Sequence, residues 1–142
     1  MKKLALTLFL ALFIIKPEIH SPNIDQFKLF SEFTLRRMIY ILQIEHPQIV
    51  FIQAQIESAH FKSNIFRENN NLFGMKVAEK RASVSIGKNR GHAVYSSWQY
   101  SVIDYKLMQQ RYAPNKTRKE YFVYLERYAE DPNYIKTIKQ RL

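Results

Sequence analysis

Residues 48–61, QIVFIQAQIESAHF, set Ile49, Val50, Phe51, Ile52, Ala54, Ile56 and Ala59 on almost every side of a helix. A helix that is apolar nearly all round has no face to give to water, so the rest of the chain must be built around it. His46-Pro47 marks its start, because proline is tolerated in the first helical turn and the residue before it prefers extended backbone. With 142 residues, 46% of them hydrophobic, the chain can close one domain around such a helix and is too short for two ordinary ones. Only 3 Gly and 5 Pro are scattered along it, and no linker tract or internal repeat is present.

One acid, Glu57, sits late in this apolar run, on the face of Val50, Ala54 and Phe61. Two readings follow. A carboxyl in apolar surroundings has a raised pKa, as a general acid working near neutral pH requires. A buried acid is, however, more often the partner of a Lys or Arg, and this chain has 22 of those.

The flanking sequence is mostly helical in period. From residue 23 to about 43, Ile24, Phe27, Phe30, Phe33, Leu35, Met38, Ile39 and Leu42 recur at threes and fours, giving one long helix or two broken near residues 31–34. Helical spacing returns after Ser97, a suitable N-cap, with Trp98, Val102, Tyr105 and Tyr112, until Ala113-Pro114-Asn115 breaks it. Residues 119–129 form a further helix, and another starts with Asp131 as N-cap and Pro132 in the first helical position. Only residues 82–95 alternate as strands do: Ala82, Val84 and Ile86, a loop of about five residues from Gly87 to Gly91, then Ala93 to Tyr95, with both glycines serving positive φ. The expected architecture is mainly α (α+β), helices around a buried central helix with a small β-hairpin lobe between residues 76 and 95.

Ahead of this domain, Lys2-Lys3 precede an uninterrupted stretch of apolar or small residues at 4–15, about 18 Å of helix against a hydrocarbon core of roughly 30 Å. That length and flank describe an export signal in residues 1–20, or, since Lys16-Pro17-Glu18 offers no small-x-small cleavage site, a retained membrane tether. The expected location is periplasmic or extracellular. With 0 Cys, there is neither a disulfide nor thiol chemistry. The formal charge of +10 favours a polyanionic partner, and export argues against nucleic acid. His20, His46, His60 and His92 have no ligand spacing with carboxylates, so neither a metal nor a cofactor is expected.

Four blocks, "AQIESAHFKS", "NNLFGMK", "AVYSSWQYSVIDY" and "YAEDPNY", in this order and with a hairpin between the second and the third, resemble the glucosaminidase family of peptidoglycan hydrolases, glycoside hydrolase family 73. The likeness covers about residues 34–142. It implies a lysozyme-like scaffold and a glucosaminidase domain at residues 21–142, acting as a monomer on peptidoglycan glycan strands and cleaving the β-1,4 bond between N-acetylglucosamine and N-acetylmuramic acid.

Carried over position by position, the resemblance makes Glu57 the general acid that protonates the leaving oxygen. Asn70, Asn71 and Phe73 match the motif that floors the cleft, with Asn71 the better candidate for a substrate hydrogen bond. Trp98 matches the motif's Ser-Trp, for sugar stacking or for core packing. Tyr134, and less closely Tyr128, match tyrosines near the reacting sugar. A second carboxylate is harder to find, and Glu79 is the only candidate between residues 76 and 95. Either it reaches the cleft, or the substrate's own 2-acetamido group attacks the anomeric carbon while a tyrosine stabilises it. The second is favoured, because Glu79 lies between Lys76 and Lys80-Arg81 and can serve as their solvated partner. Just past the acid, where relatives often have a Gly and an aromatic, this chain has Ala59-His60-Phe61, with His60 close enough on a helix to influence Glu57. A lytic transglycosylase on the same scaffold and a non-catalytic, basic wall-binding module remain the rival functions.

Overall fold

A computed structural model describes residues 29–142. The apolar segment at residues 4–15, the rest of the expected export signal and the first part of the helix expected from residue 23 lie outside the described residues. Among the described residues no helix is long and apolar enough to cross a membrane.

The first helix, α1 (Glu32–Ile41), starts where the sequence offers a reciprocal cap. Thr34 N–H donates to Ser31 Oγ at 3.0 Å and Ser31 N–H donates to Thr34 Oγ1 at 2.9 Å, satisfying two groups a helix start leaves open. Its inner face buries Leu35, Met38 and Ile39 against α2 (Pro47–Glu57), the central helix, whose residues Ile49 to Ala54 are all buried. Pro47 begins α2 as expected, but His46 is left-handed (φ 54°) and not extended. Its ring explains the difference: it stacks on Tyr121 at 4.5 Å and its Nε2 bonds the Lys116 carbonyl at 2.8 Å, contacts that hold a backbone state costing roughly 1–2 kcal/mol.

The central helix also ends earlier than its composition suggests, at Glu57 and not near Phe61. Ser58 closes it by donating Oγ–H to the Ala54 carbonyl at 2.6 Å while accepting the Phe61 N–H at 2.9 Å. Ala59, His60 and Phe61 then run left-handed (φ 48°, 53° and 65°), reversing the chain so that Phe61 packs on Phe30 and Phe66. The short α3 (Asn64–Asn69) follows, with Ser63 Oγ accepting the Phe66 N–H.

The hairpin is tighter than expected. Strands β1 (Gly87–Asn89) and β2 (His92–Val94) pair antiparallel, Gly87 with Val94 and Asn89 with His92, around a two-residue turn in which both Arg90 (φ 52°) and Gly91 (φ 77°) are left-handed. This is the geometry a two-residue hairpin turn requires. Gly87 lies in the strand and needs no positive φ. Ala82 and Val84 form no strand, because the buried Asp104 takes the Val84 N–H at 3.2 Å.

Helix α4 (Trp98–Tyr112) buries Trp98, Val102, Tyr105 and Met108. Thr117 and Glu120 cap α5 (Arg118–Leu125) reciprocally; it starts one residue earlier and ends four residues earlier than expected. The last helix, α6 (Tyr134–Arg141), starts two residues later than Pro132, because Asp131 forms a local turn instead of a cap: its Oδ1 accepts the Asn133 N–H at 2.8 Å and its carbonyl the Tyr134 N–H at 3.0 Å.

Candidate active site

Terminating α2 at Glu57 puts that carboxyl where the buried helix emerges, half-buried at the edge of a groove of about 340 Å³. The opposite wall is the loop after α3. Asn71, fully buried, organises that loop by using all of its side-chain capacity: Nδ2 donates to the Met75 carbonyl at 2.8 Å and the Ala93 carbonyl at 3.0 Å, and Oδ1 accepts the Phe73 and Met75 N–H groups at 3.3 and 3.1 Å. The loop so fixed turns through Gly74 at φ 62° and brings its Cα against the acid, close enough that a Cβ there would stand 3.6 Å from Glu57 Oε2.

Glu57 has no ion-pair partner among the described residues. Burial pushes its carboxyl above the usual glutamate range, and the nearby Tyr134 hydroxyl partly offsets this. Tyr134 lies behind the acid, 4% exposed, and its hydroxyl also accepts Gln53 Nε2–H at 3.1 Å. Tyr128 stands beside the acid in the groove, its ring nearly parallel to that of Tyr134 at 6.3 Å, and donates its hydroxyl hydrogen to the Phe73 carbonyl at 2.9 Å. Both hydroxyls are held above the ordinary tyrosine range, first by burial and then by the nearby Glu57. Phe73, Met75 and Met108 give the groove an apolar floor, and Lys76 and Arg81 bring cations to it.

Arg81 is committed elsewhere. Its two terminal nitrogens meet both oxygens of Asp104 at 2.9 Å, and Asp104 also accepts the Tyr95 hydroxyl at 2.7 Å. Burial alone would raise the Asp104 pKa, but the hydrogen bonds from Arg81 and Tyr95 outweigh it and hold the carboxyl below its usual range. This buried pair ties the irregular part of the lobe to α4 and so fixes one side of the groove.

The sequence-derived candidates divide accordingly. Glu57, Phe73 and Tyr128 line one groove, and Tyr134 supports it from behind. Asn71, expected to meet substrate, is spent on the loop. Asn70 is a left-handed helix cap whose Nδ2 donates to the Tyr95 carbonyl at 2.9 Å. Trp98 is core, 4% exposed and edge-on to Phe30 at 5.5 Å, and is absent from the groove. Glu79 is exposed and borders a different depression, with Lys80, Lys88 and Tyr112. His60 is exposed and turned towards Arg141. Sequence reasoning missed Gly74, Arg81, Asp104 and Gln53. A glutamine in the middle of an all-apolar helix and a glycine between Phe73 and Met75 were the available signals.

No curated protein matches the chain. Among solved structures it is similar to the catalytic domain of the autolysin Auto from Listeria monocytogenes, 21% identical, with a TM-score of 0.51 over 82% of this chain and 81% of that one, a likeness of fold. The family model described as mannosyl-glycoprotein endo-beta-N-acetylglucosaminidase matches residues 40–142, from the end of α1 to the last residue and across every element of the groove. The chain therefore belongs to the glucosaminidase family of glycoside hydrolases.

Proposed function

We propose that the chain is a peptidoglycan hydrolase that cuts the β-1,4 bond between N-acetylglucosamine and N-acetylmuramic acid, with Glu57 as general acid. The observation that carries this reading is a desolvated carboxyl with no cation partner among the described residues, opening on a groove, in a chain of an endo-N-acetylglucosaminidase family. The neighbour of similar fold is an autolysin, which favours a wall glycan as substrate and a location outside the cell membrane. The Lys76 ammonium at the groove suits the lactyl carboxylate that distinguishes muramic acid.

The chemistry we infer is substrate-assisted. Glu79 borders a separate depression, which leaves Glu57 without a second carboxylate in its groove among the described residues. In the first step the 2-acetamido carbonyl oxygen bonds to the anomeric carbon as the glycosidic C–O bond breaks, and the leaving oxygen takes the proton of Glu57. In the second, the Glu57 carboxylate takes a proton from water as the water oxygen displaces the acetamido oxygen. Tyr128 has a role in this scheme: its hydrogen is spent on the Phe73 carbonyl, so its oxygen presents lone pairs that accept the acetamido N–H.

A thiazoline analogue of the bicyclic intermediate tests this mechanism. Competitive inhibition is expected, and a product that is one water lighter, an anhydro-sugar, would make the enzyme a lytic transglycosylase instead.

A further inference from the structure

Behind the groove, a line of buried polar side chains crosses the core from the chain segment before α2 to Tyr134, the neighbour of Glu57. Gln53, Tyr105, Tyr121 and Gln109 are each no more than 1% exposed, and the reaction steps above use none of them. Their hydrogen bonds have only one consistent direction. At the far end, the backbone N–H of Glu45, which can only donate, bonds Gln109 Oε1 at 2.8 Å. That fixes the amide of Gln109, whose Nε2 then donates to the Glu45 carbonyl at 2.9 Å and to the Tyr121 hydroxyl oxygen at 3.3 Å. Tyr121 therefore donates its one hydrogen to Tyr105, its hydroxyl neighbour. Tyr105, having accepted, donates to Gln53 Oε1 at 2.6 Å. Gln53 thus turns Nε2 towards the Tyr134 oxygen, at 3.1 Å, and the Tyr134 hydrogen is left to point away from Gln53, to the side of the nearby Glu57.

We infer that Gln109, Tyr121, Tyr105 and Gln53 form a one-way hydrogen-bond relay that fixes Tyr134 as an acceptor from Gln53 and turns its hydrogen to the Glu57 side, and are positioning residues for the acid. This rests on the reading of Glu57 as general acid. A hydroxyl hydrogen turned that way stabilises the carboxylate against the desolvation that raises its pKa, and so sets the pH at which the proton is released. Breaking the relay frees the Gln53 amide to turn, present Oε1 to Tyr134 and draw that hydrogen away from Glu57.

The groups facing Glu57 limit what else can move its titration. They are Tyr128 and Tyr134, both held above the ordinary tyrosine range, the Lys76 ammonium, and Arg81, which is held by Asp104. His60 is turned away towards Arg141.

The test follows the Glu57 carboxyl by NMR in the full chain labelled with 13C-glutamate, its signal assigned by its loss in Glu57→Gln, alongside the pH dependence of kcat/KM. Tyr105→Phe is expected to raise the Glu57 midpoint by about one pH unit, the worth of a hydrogen bond to a charged group, and Tyr121→Phe by less. Ile39→Val, which trims the core without touching the relay, is expected to leave it in place. If Tyr105→Phe does not fold, Tyr121→Phe carries the test. An unmoved midpoint in the folded relay variant overturns the proposal. A midpoint that moves while the alkaline limb of the rate profile does not would uphold the relay and overturn Glu57 as the acid.

Discussion

Gly74 and Glu57 meet across the groove: a Cβ on Gly74 would stand 3.6 Å from Glu57 Oε2, on a backbone held at φ 62°. Gly74→Ala thus adds left-handed strain and a methyl group beside the acid. It is expected to cost about 1–2 kcal/mol in urea unfolding and to lower kcat/KM. Stability and activity equal to wild type would show that the loop does not approach the acid in this way.

Glu57 carries a stability consequence of its own. Its folded-state pKa lies above the unfolded value of 4.5, so the folded state holds the proton more tightly and the protein loses stability as pH rises from the unfolded value through the folded one. Glu57→Gln is neutral throughout and avoids this loss. The variant is expected to melt higher than wild type at pH 7 and to lose that advantage near pH 4, as differential scanning calorimetry at the two pH values would report.

Asp104 behaves in the opposite sense. Its folded pKa is depressed, so its contribution is present above the unfolded value and lost as pH falls through the folded one. Asp104→Asn leaves the buried Arg81 without its charge partner and is expected to cost about 3–5 kcal/mol at neutral pH. In acid the gap between the two proteins narrows. A constant gap from pH 7 to pH 3 in urea titrations would contradict the assignment.

Two residues singled out from sequence are expected to be dispensable for chemistry. Glu79→Gln should leave kcat/KM within about twofold of wild type, since that side chain is exposed and borders another depression. A hundredfold loss, outside the roughly half-kcal effects of such surface changes, would return Glu79 to the mechanism. Trp98→Phe is expected to lower the melting temperature without changing retention on insoluble cell wall, and lost retention in the folded variant would restore a sugar-stacking role.

The central helix and the acid on it were legible because an all-round apolar run admits only a buried helix, and one carboxyl in it stands out. Pro47 and Ser97 marked the starts of α2 and α4, because a helix start is set by the residues beside it in the chain. What stayed hidden is non-local. Asn71 reads as a substrate ligand until Met75 and Ala93 are seen to claim its amide, and Ala82 to Ile86 read as a strand until Asp104, some twenty residues on, takes the Val84 N–H. Trp98 fits a motif and a helical core stripe equally, and only its place against Phe30 separates the two. The relay behind Glu57 joins residues from four helices and the segment before α2, a juxtaposition no spacing along the chain encodes.

The most direct test is digestion of purified peptidoglycan by the wild-type chain and by Glu57→Gln, with mass spectrometry of the reduced products. New reducing-end N-acetylglucosamine from the wild type, and a loss of about 10²–10⁴-fold in the variant, are the results predicted for a general acid. Equal turnover by both proteins would remove Glu57 from the chemistry.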